Sequence, residues 1–238
     1  MTLELQRLQR EAMRGLDAAV RRQLTQVWRL ASSTDAEAMT RALLALVPDV
    51  IATHGDIAAT LAAGYYDEAR AAAGAAGRFA ATPAKPAPLE QIEAAVRWGV
   101  DPLWSRTPDT VAARTRIEGS ATRLTRQPYH DTIKDSVRRD PARARYARTL
   151  GYSEHGPCGF CSMLAGRGAV YAASTVGFDS HDHCTCSSIV VFRPSDLPAE
   201  NTWLGNEWQT VTAGAVDSVE ARARWDAHVA ALNELNQP

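Results

Sequence analysis

From residue 2 to about 31, apolar side chains return every third or fourth position: Leu3, Leu5, Leu8, Met13, Leu16, Val20, Leu24, Val27 and Leu30, with arginine and glutamine between them. That period predicts one amphipathic helix with a single apolar stripe. Ser32-Ser33-Thr34-Asp35 breaks the pattern and supplies a cap for a second helix over 35–47, which Pro48 is expected to interrupt. A third helix over 49–73 carries Ile51, Ile57, Leu61, Tyr65 and Tyr66, the tyrosines reading as core residues with polar tips. Residues 74–88 (GAAGRFAATPAKPAP) form a linker too rich in glycine and proline for a long helix. Leu89 to Trp104 resumes helical spacing, with Ile92, Val96 and Trp104 as core positions. Asp109 caps a further helix through Val111, Ile117 and Leu124, continuing past Pro128 to Val137. Pro141, at a first helical turn, opens a short arm, PARARYARTLG.

Near Gly151 the alanine-rich helical pattern gives way to Gly, Ser, Thr, Val and Phe. Ser187 to Phe192 is a β-branched run that predicts a strand, with Val170-Tyr171 and Thr175 to Phe178 as candidate partners. Pro198 to Gly205 reads as an extended loop, and residues 217–236 as a last helix carrying Val219, Trp225, Val229 and Leu232. The expected fold class is therefore α+β, mostly α. A helical body (1–149) precedes a small β-containing module (150–194), an extended loop and a C-terminal helix (195–238).

Charge changes this picture little. The formal net charge is −1, which makes no overall claim on nucleic acid or membrane. Arg106 to Arg148 does hold eleven basic residues against five acidic ones. The ordinary reading is a solvated helix face; the functional one is a surface toward DNA, contacted without sequence preference, or toward the acidic rim of a partner protein. No stretch approaches 18 uninterrupted apolar residues, so no membrane partner is expected. The first residues lack a signal peptide's apolar core, which points to a reducing compartment. No GxSxG, HExxH, P-loop or dinucleotide fingerprint occurs.

The chemistry is concentrated in GPCGFCSMLAGRGAVYAASTVGFDSHDHCTC, which holds all four cysteines: Cys158 and Cys161 as C-x2-C, Cys184 and Cys186 as C-x-C. His181 and His183 immediately precede the second pair. Two short ligand pairs, each aimed by a tight turn, are the pattern of a metal clip. Gly156, Pro157 and Gly159 suit the first turn. Disulfides and inert core thiols are the competing readings, weakened by the absent signal sequence and by the clustering. Thiolates with imidazole select zinc over magnesium or calcium. The four ligands are either all cysteines, or three cysteines with His181 in place of one member of the C-x-C pair, while His183 faces away or supports from outside. Four sulfur or nitrogen donors close the shell, so the zinc is expected to be structural and the chain not an enzyme. A zinc nuclease or protease would need an open position and carboxylates, for which only Asp179 and Asp182 are near.

The run C-x2-C-x-M-L-A-x-R-G-A-V-Y-x-x-S, from Cys158 to Ser174, followed by H-D-H-C-x-C and the apolar strand Ile189 to Phe192, resembles the MuF-like minor capsid proteins of tailed bacteriophages, also called phage head morphogenesis proteins. Weaker echoes are Tyr65-Tyr66-Asp67-Glu68-Ala69-Arg70, Trp208 and Trp225. His181 matches the family's histidine three residues before the C-x-C pair, whereas His183 stands where a small polar residue is usual. The resemblance implies a minor structural protein of the phage head that aids head morphogenesis or DNA packaging and ejection. Its implied partners are the portal and the major capsid protein, with packaged DNA as a non-specific contact and no small-molecule substrate. It implies a place in the virion, at the capsid interior or portal vertex, and in the host cytoplasm during assembly. A zinc-dependent nuclease or protease, or a DNA-binding zinc module, is the alternative. The N-terminal helix is expected to be a docking element that can be deleted without loss of the zinc module.

Overall fold

A computed structural model describes residues 2–32, 35–151, 156–170 and 180–235. It is mostly helical with one small sheet, as the periodicity predicts. Helix α1 (Thr2–Ala31) buries Met13, Leu16, Val20, Leu24 and Val27, while Leu3, Leu8 and Leu30 at the ends of the stripe are exposed. Helix α2 (Ala36–Ala72) starts at Asp35, whose carboxylate accepts from the backbone N–H groups of Glu37 and Ala38. It runs unbroken through Pro48, contrary to the expected interruption. Proline removes one backbone donor and crowds the preceding turn. Here Val47, Val50 and Ile51 on both sides of it are buried in one core, and that packing holds the helix together. By length and composition α2 could cross a bilayer, but half of its apolar window is buried inside the fold.

After the linker, α3 (Leu89–Val100) ends four residues earlier than expected, in a 3-10 turn at Asp101–Trp104. Pro102 cannot continue the hydrogen-bond ladder, and Trp104, expected in the core, is 58% exposed. Helix α4 (Thr110–Arg139) is capped by Asp109 and passes Pro128 as predicted.

The arm after Pro141 is a strand, β1 (Arg145–Thr149), and Pro141 lies in the turn that leaves α4 rather than in a helical turn. Its partner is β2 (Ser187–Val191), antiparallel, with Arg145 opposite Val191 and Thr149 opposite Ser187. Val170 is not in a strand, and Tyr171 and Thr175 to Phe178 lie outside the described residues. The short helix α5 (Gly159–Gly166) lies between the two strands in sequence. Helix α6 (Ala199–Thr212) replaces the expected extended loop. Pro198 stands just before its first turn, where a missing N–H costs nothing. Leu204 and Trp208 pack it against α5 and α7 (Ser218–Leu235) despite the poor helix formers in its sequence.

Two large apolar clusters organise the body. The first joins residues of α1, α2, α3 and α4 between Val20 and Leu124. The second joins Met13, Leu16, Ala62, Tyr66, Tyr129 and Ile133 to Tyr146, Ile189, Val190 and Val191 of the sheet. The sheet thus packs directly on the helices. Helix α1 contributes to both clusters, so it is core and not a detachable docking element, contrary to the expectation above.

Candidate metal centre

The first ligand pair is built at the start of α5. Cys158 is the residue before the first turn, with an extended backbone, and its sulfur accepts from the Cys161 N–H at 3.3 Å. One helical turn then brings the Cys161 sulfur to the same side. Gly156 has φ +75°, a left-handed conformation that glycine adopts without a Cβ penalty, so the chain can enter this turn sharply. Helix α7 holds the turn from outside: Trp225 Nε1 donates to the Gly159 carbonyl at 2.8 Å, and Asn233 Nδ2 to the Pro157 carbonyl at 3.0 Å.

The second pair hangs from α4. Asp182 takes a 2.8 Å ion pair from Arg123 and a hydrogen bond from Ser120. The His183 N–H donates to the Gly119 carbonyl, and its backbone, at φ 63°, turns the chain so that its ring packs on Gly119 and away from the sulfurs. His183 therefore faces away, as its sequence position indicates. Asp182, the carboxylate named for an alternative nuclease, is engaged in clamping this loop, and Asp179 lies outside the described residues.

Between these two turns the sulfurs and one imidazole meet. His181 Nε2 is 3.2 Å from Cys158 Sγ and 3.5 Å from Cys161 Sγ. Cys161 Sγ is 3.8 Å from Cys184 Sγ. Cys158, Cys161 and His181 form one set of mutually close donors, and Cys161, Cys184 and Cys186 another, with Cys161 common to both. All four cysteines are free thiols, with Cys158 exposed and the other three buried. The five residues singled out from spacing therefore cluster within metal-binding distance.

Three observations test whether a metal fits. Donors about 2.0–2.3 Å from a tetrahedral ion lie roughly 3.5–3.8 Å apart, close to the separations seen. His181 Nδ1 lies 2.7 Å from the Asp182 carbonyl, which only an N–H can satisfy, so Nε2 is the nitrogen that faces the sulfurs and would offer its lone pair to a metal on losing its proton. Burial works to lower the His181 pKa, but that carbonyl and the neighbouring cysteines outweigh it and the net shift is upward. The thiols disagree with one another. Hydrogen bonding from Cys161 draws Cys158 down to about 5, and Cys161 and Cys186 draw Cys184 down. Cys161 is pushed up by Cys158, Cys184 and Cys186. Sulfurs this close cannot all ionise unless a cation compensates them. The donor set fits a thiophilic metal ion.

The surroundings are polar, buried and largely invisible to spacing arguments. Arg126 forms a buried ion pair with Asp17 of α1 at 2.6 Å and donates to the Cys186 carbonyl and the Ser187 hydroxyl. Tyr129 donates to the Ser188 carbonyl, and His130 Nδ1 meets the Ser188 hydroxyl at 2.7 Å. Burial, aided by Arg126 and Arg148, pushes the His130 pKa well below its ordinary range, so this imidazole is neutral. Helix α4 thereby grips the strand that leaves the second ligand pair. Gly151, following β1, leaves no room for a side chain because a Cβ there would run into the Thr185 carbonyl between Cys184 and Cys186. Gly151→Ala should displace that backbone and cost about 1–3 kcal/mol, the range for forced overpacking. Equilibrium urea unfolding checks this, with an unchanged midpoint as the contrary result.

Much of the basic run from Arg106 to Arg148 is used internally. Arg114, Arg116, Arg123, Lys134 and Arg138 pair with Glu118, Asp101, Asp182, Asp131 and Asp135, while Arg126 and Arg148 are buried.

No curated protein and no solved structure matches the chain. A family model does match, over residues 2–211, a span that includes the whole helical body, both ligand pairs and the sheet. The chain belongs to the VG15 protein family, a phage-associated family.

Proposed function

We propose that this chain is a MuF-like minor structural protein of a tailed-phage head, in which a zinc ion staples the sheet and the C-terminal helices to a helical body. The observation that carries the reading is the five-donor cluster lying within a phage-family sequence. The proposed shell is Cys158, Cys161, His181 and Cys184, with Cys186 beside it, and zinc supplies folding free energy rather than a reaction. This role is structural, with no catalysis. The portal or major capsid protein is the proposed partner, with packaged DNA at most a non-specific contact, and the virion is the proposed location.

The test is the protein composition of purified particles from a wild-type phage and from one lacking the gene. Presence in procapsids or mature heads is the expected result. Absence from both, with the protein found free in the lysate, would sink the assignment and favour the nuclease or protease alternative. Elemental analysis of the purified chain should give about one zinc per chain, as for a four-ligand structural site.

A further inference from the structure

We propose that Arg148 is the charge-compensating, positioning residue of the metal centre, stabilising its thiolates in the ligating form and slowing their release of the ion. The proposal rests on the reading of the cluster as a metal site. By sequence, Arg148 is one more member of a basic run. In the fold it is 2% exposed, and its Nη1 stands 3.7 Å from Cys161 Sγ and 3.9 Å from Cys184 Sγ. These are one cysteine from each ligand pair, so a single guanidinium spans the junction between the C-x2-C and C-x-C turns.

Its placement is fixed from the backbone outward. Arg148 lies in β1 opposite Ser188, two residues past Cys186, so the sheet register sets its distance from the second ligand pair. Asn201 of α6 donates to the Arg148 carbonyl at 2.7 Å and, through the same nitrogen, to the Ala165 carbonyl of α5 at 2.8 Å. That amide ties the strand carrying the guanidinium to the helix carrying Cys161. A guanidinium taken out of water is costly unless anions receive it. A divalent ion with three thiolates and one neutral imidazole has a net charge of −1, which one arginine cancels. Both sulfurs are approached by the same nitrogen, Nη1, so it is the positive charge at that point that the site uses, and a lysine ammonium, itself a point charge, can stand in for much of it. Hydrogen bonds to metal-bound ligands commonly change metal affinity by about 10–100-fold.

The experiment uses the full chain loaded with zinc, as wild type, Arg148→Lys, Arg148→Gln and Arg148→Met, with metal release to a chromogenic chelator followed in time. Release from the Gln and Met variants should be about 10–100-fold faster than from wild type, with Lys restoring most of the loss. In the cobalt-loaded proteins, the sulfur-to-metal charge-transfer band should move to longer wavelength in Gln and Met, because sulfur electrons lose a cation's stabilisation. A purely structural arginine would leave that band unmoved. Wild-type release rates and an unshifted band in Gln overturn the proposal, as does Lys releasing as fast as Gln. Should Met fail to fold, Lys against Gln decides, since both keep a donor and only one keeps the charge. A wild-type chain that retains no metal refutes the metal reading itself, a different outcome from equal release rates.

Discussion

Cys161→Ser is expected to abolish stoichiometric metal retention and to lower stability by more than about 4 kcal/mol, a size that single substitutions reach only through a loss such as that of a structural metal. Cys161 is chosen because it is the donor common to both close sets, within reach of His181 on one side and Cys184 on the other. Removing it separates the two ligand pairs instead of thinning one of them. Among the described residues the sheet has two strands of five residues each, and it cannot replace an ion's contribution, since an isolated two-stranded hairpin is marginal at best. Elemental analysis together with calorimetric melting, with and without added chelator, measures the effect. Cys186→Ser provides the contrast, because Cys186 is placed outside the proposed shell and its loss should be the milder one. A Cys161→Ser chain that melts like wild type and still carries one ion would mean that the cluster is not the staple.

The second large effect lies away from the sulfurs, at Asp17 and Arg126. Their ion pair is buried, with side chains 7% and 3% exposed, and Arg126 also supports the Cys186 carbonyl. Asp17→Ala leaves a guanidinium in the interior without its carboxylate, and a broken buried pair costs about 3–5 kcal/mol. Replacing both residues with apolar ones, Asp17→Leu with Arg126→Met, should recover a large part of that loss, because no charge is then left stranded. Denaturant unfolding of Asp17→Leu, Arg126→Met and the double variant gives the coupling, with Asp17→Ala measured beside them. A loss below about 1 kcal/mol for Asp17→Ala, the range of exposed pairs, would show that the pair is solvated.

What the sequence disclosed follows from how local each determinant is. Helix α1 was readable from its apolar spacing and α4 from its Asp109 cap, because both signals are written within a few residues. The closeness of the four cysteines and His181 was readable for the same reason, since each pair sits on a single turn. Pro48 misled because the contacts that hold α2 together there come from other helices. The same is true of α6, where packing by Leu204 and Trp208 outweighs a poor local propensity. Strand β1 was missed because RYART carries two arginines, and its partner is β2, across the whole cysteine-bearing stretch. Arg126 and Arg148 looked like surface charge because nothing in a linear count of basic residues distinguishes a buried guanidinium from a solvated one.

The two apolar clusters differ in when synthesis can complete them. All residues of the first lie between Val20 and Leu124, so it can close while the cysteines are still unmade. The second needs Ile189, Val190 and Val191, which come three to five residues after the last cysteine. If the clip is a zinc site, capture of the ion and sealing of the second cluster belong to one late event. A chain waiting for metal would present Tyr66, Tyr129 and Ile133 to its neighbours. Metal supply would then set how much of the newly made protein reaches its folded form and how much is lost to clumping.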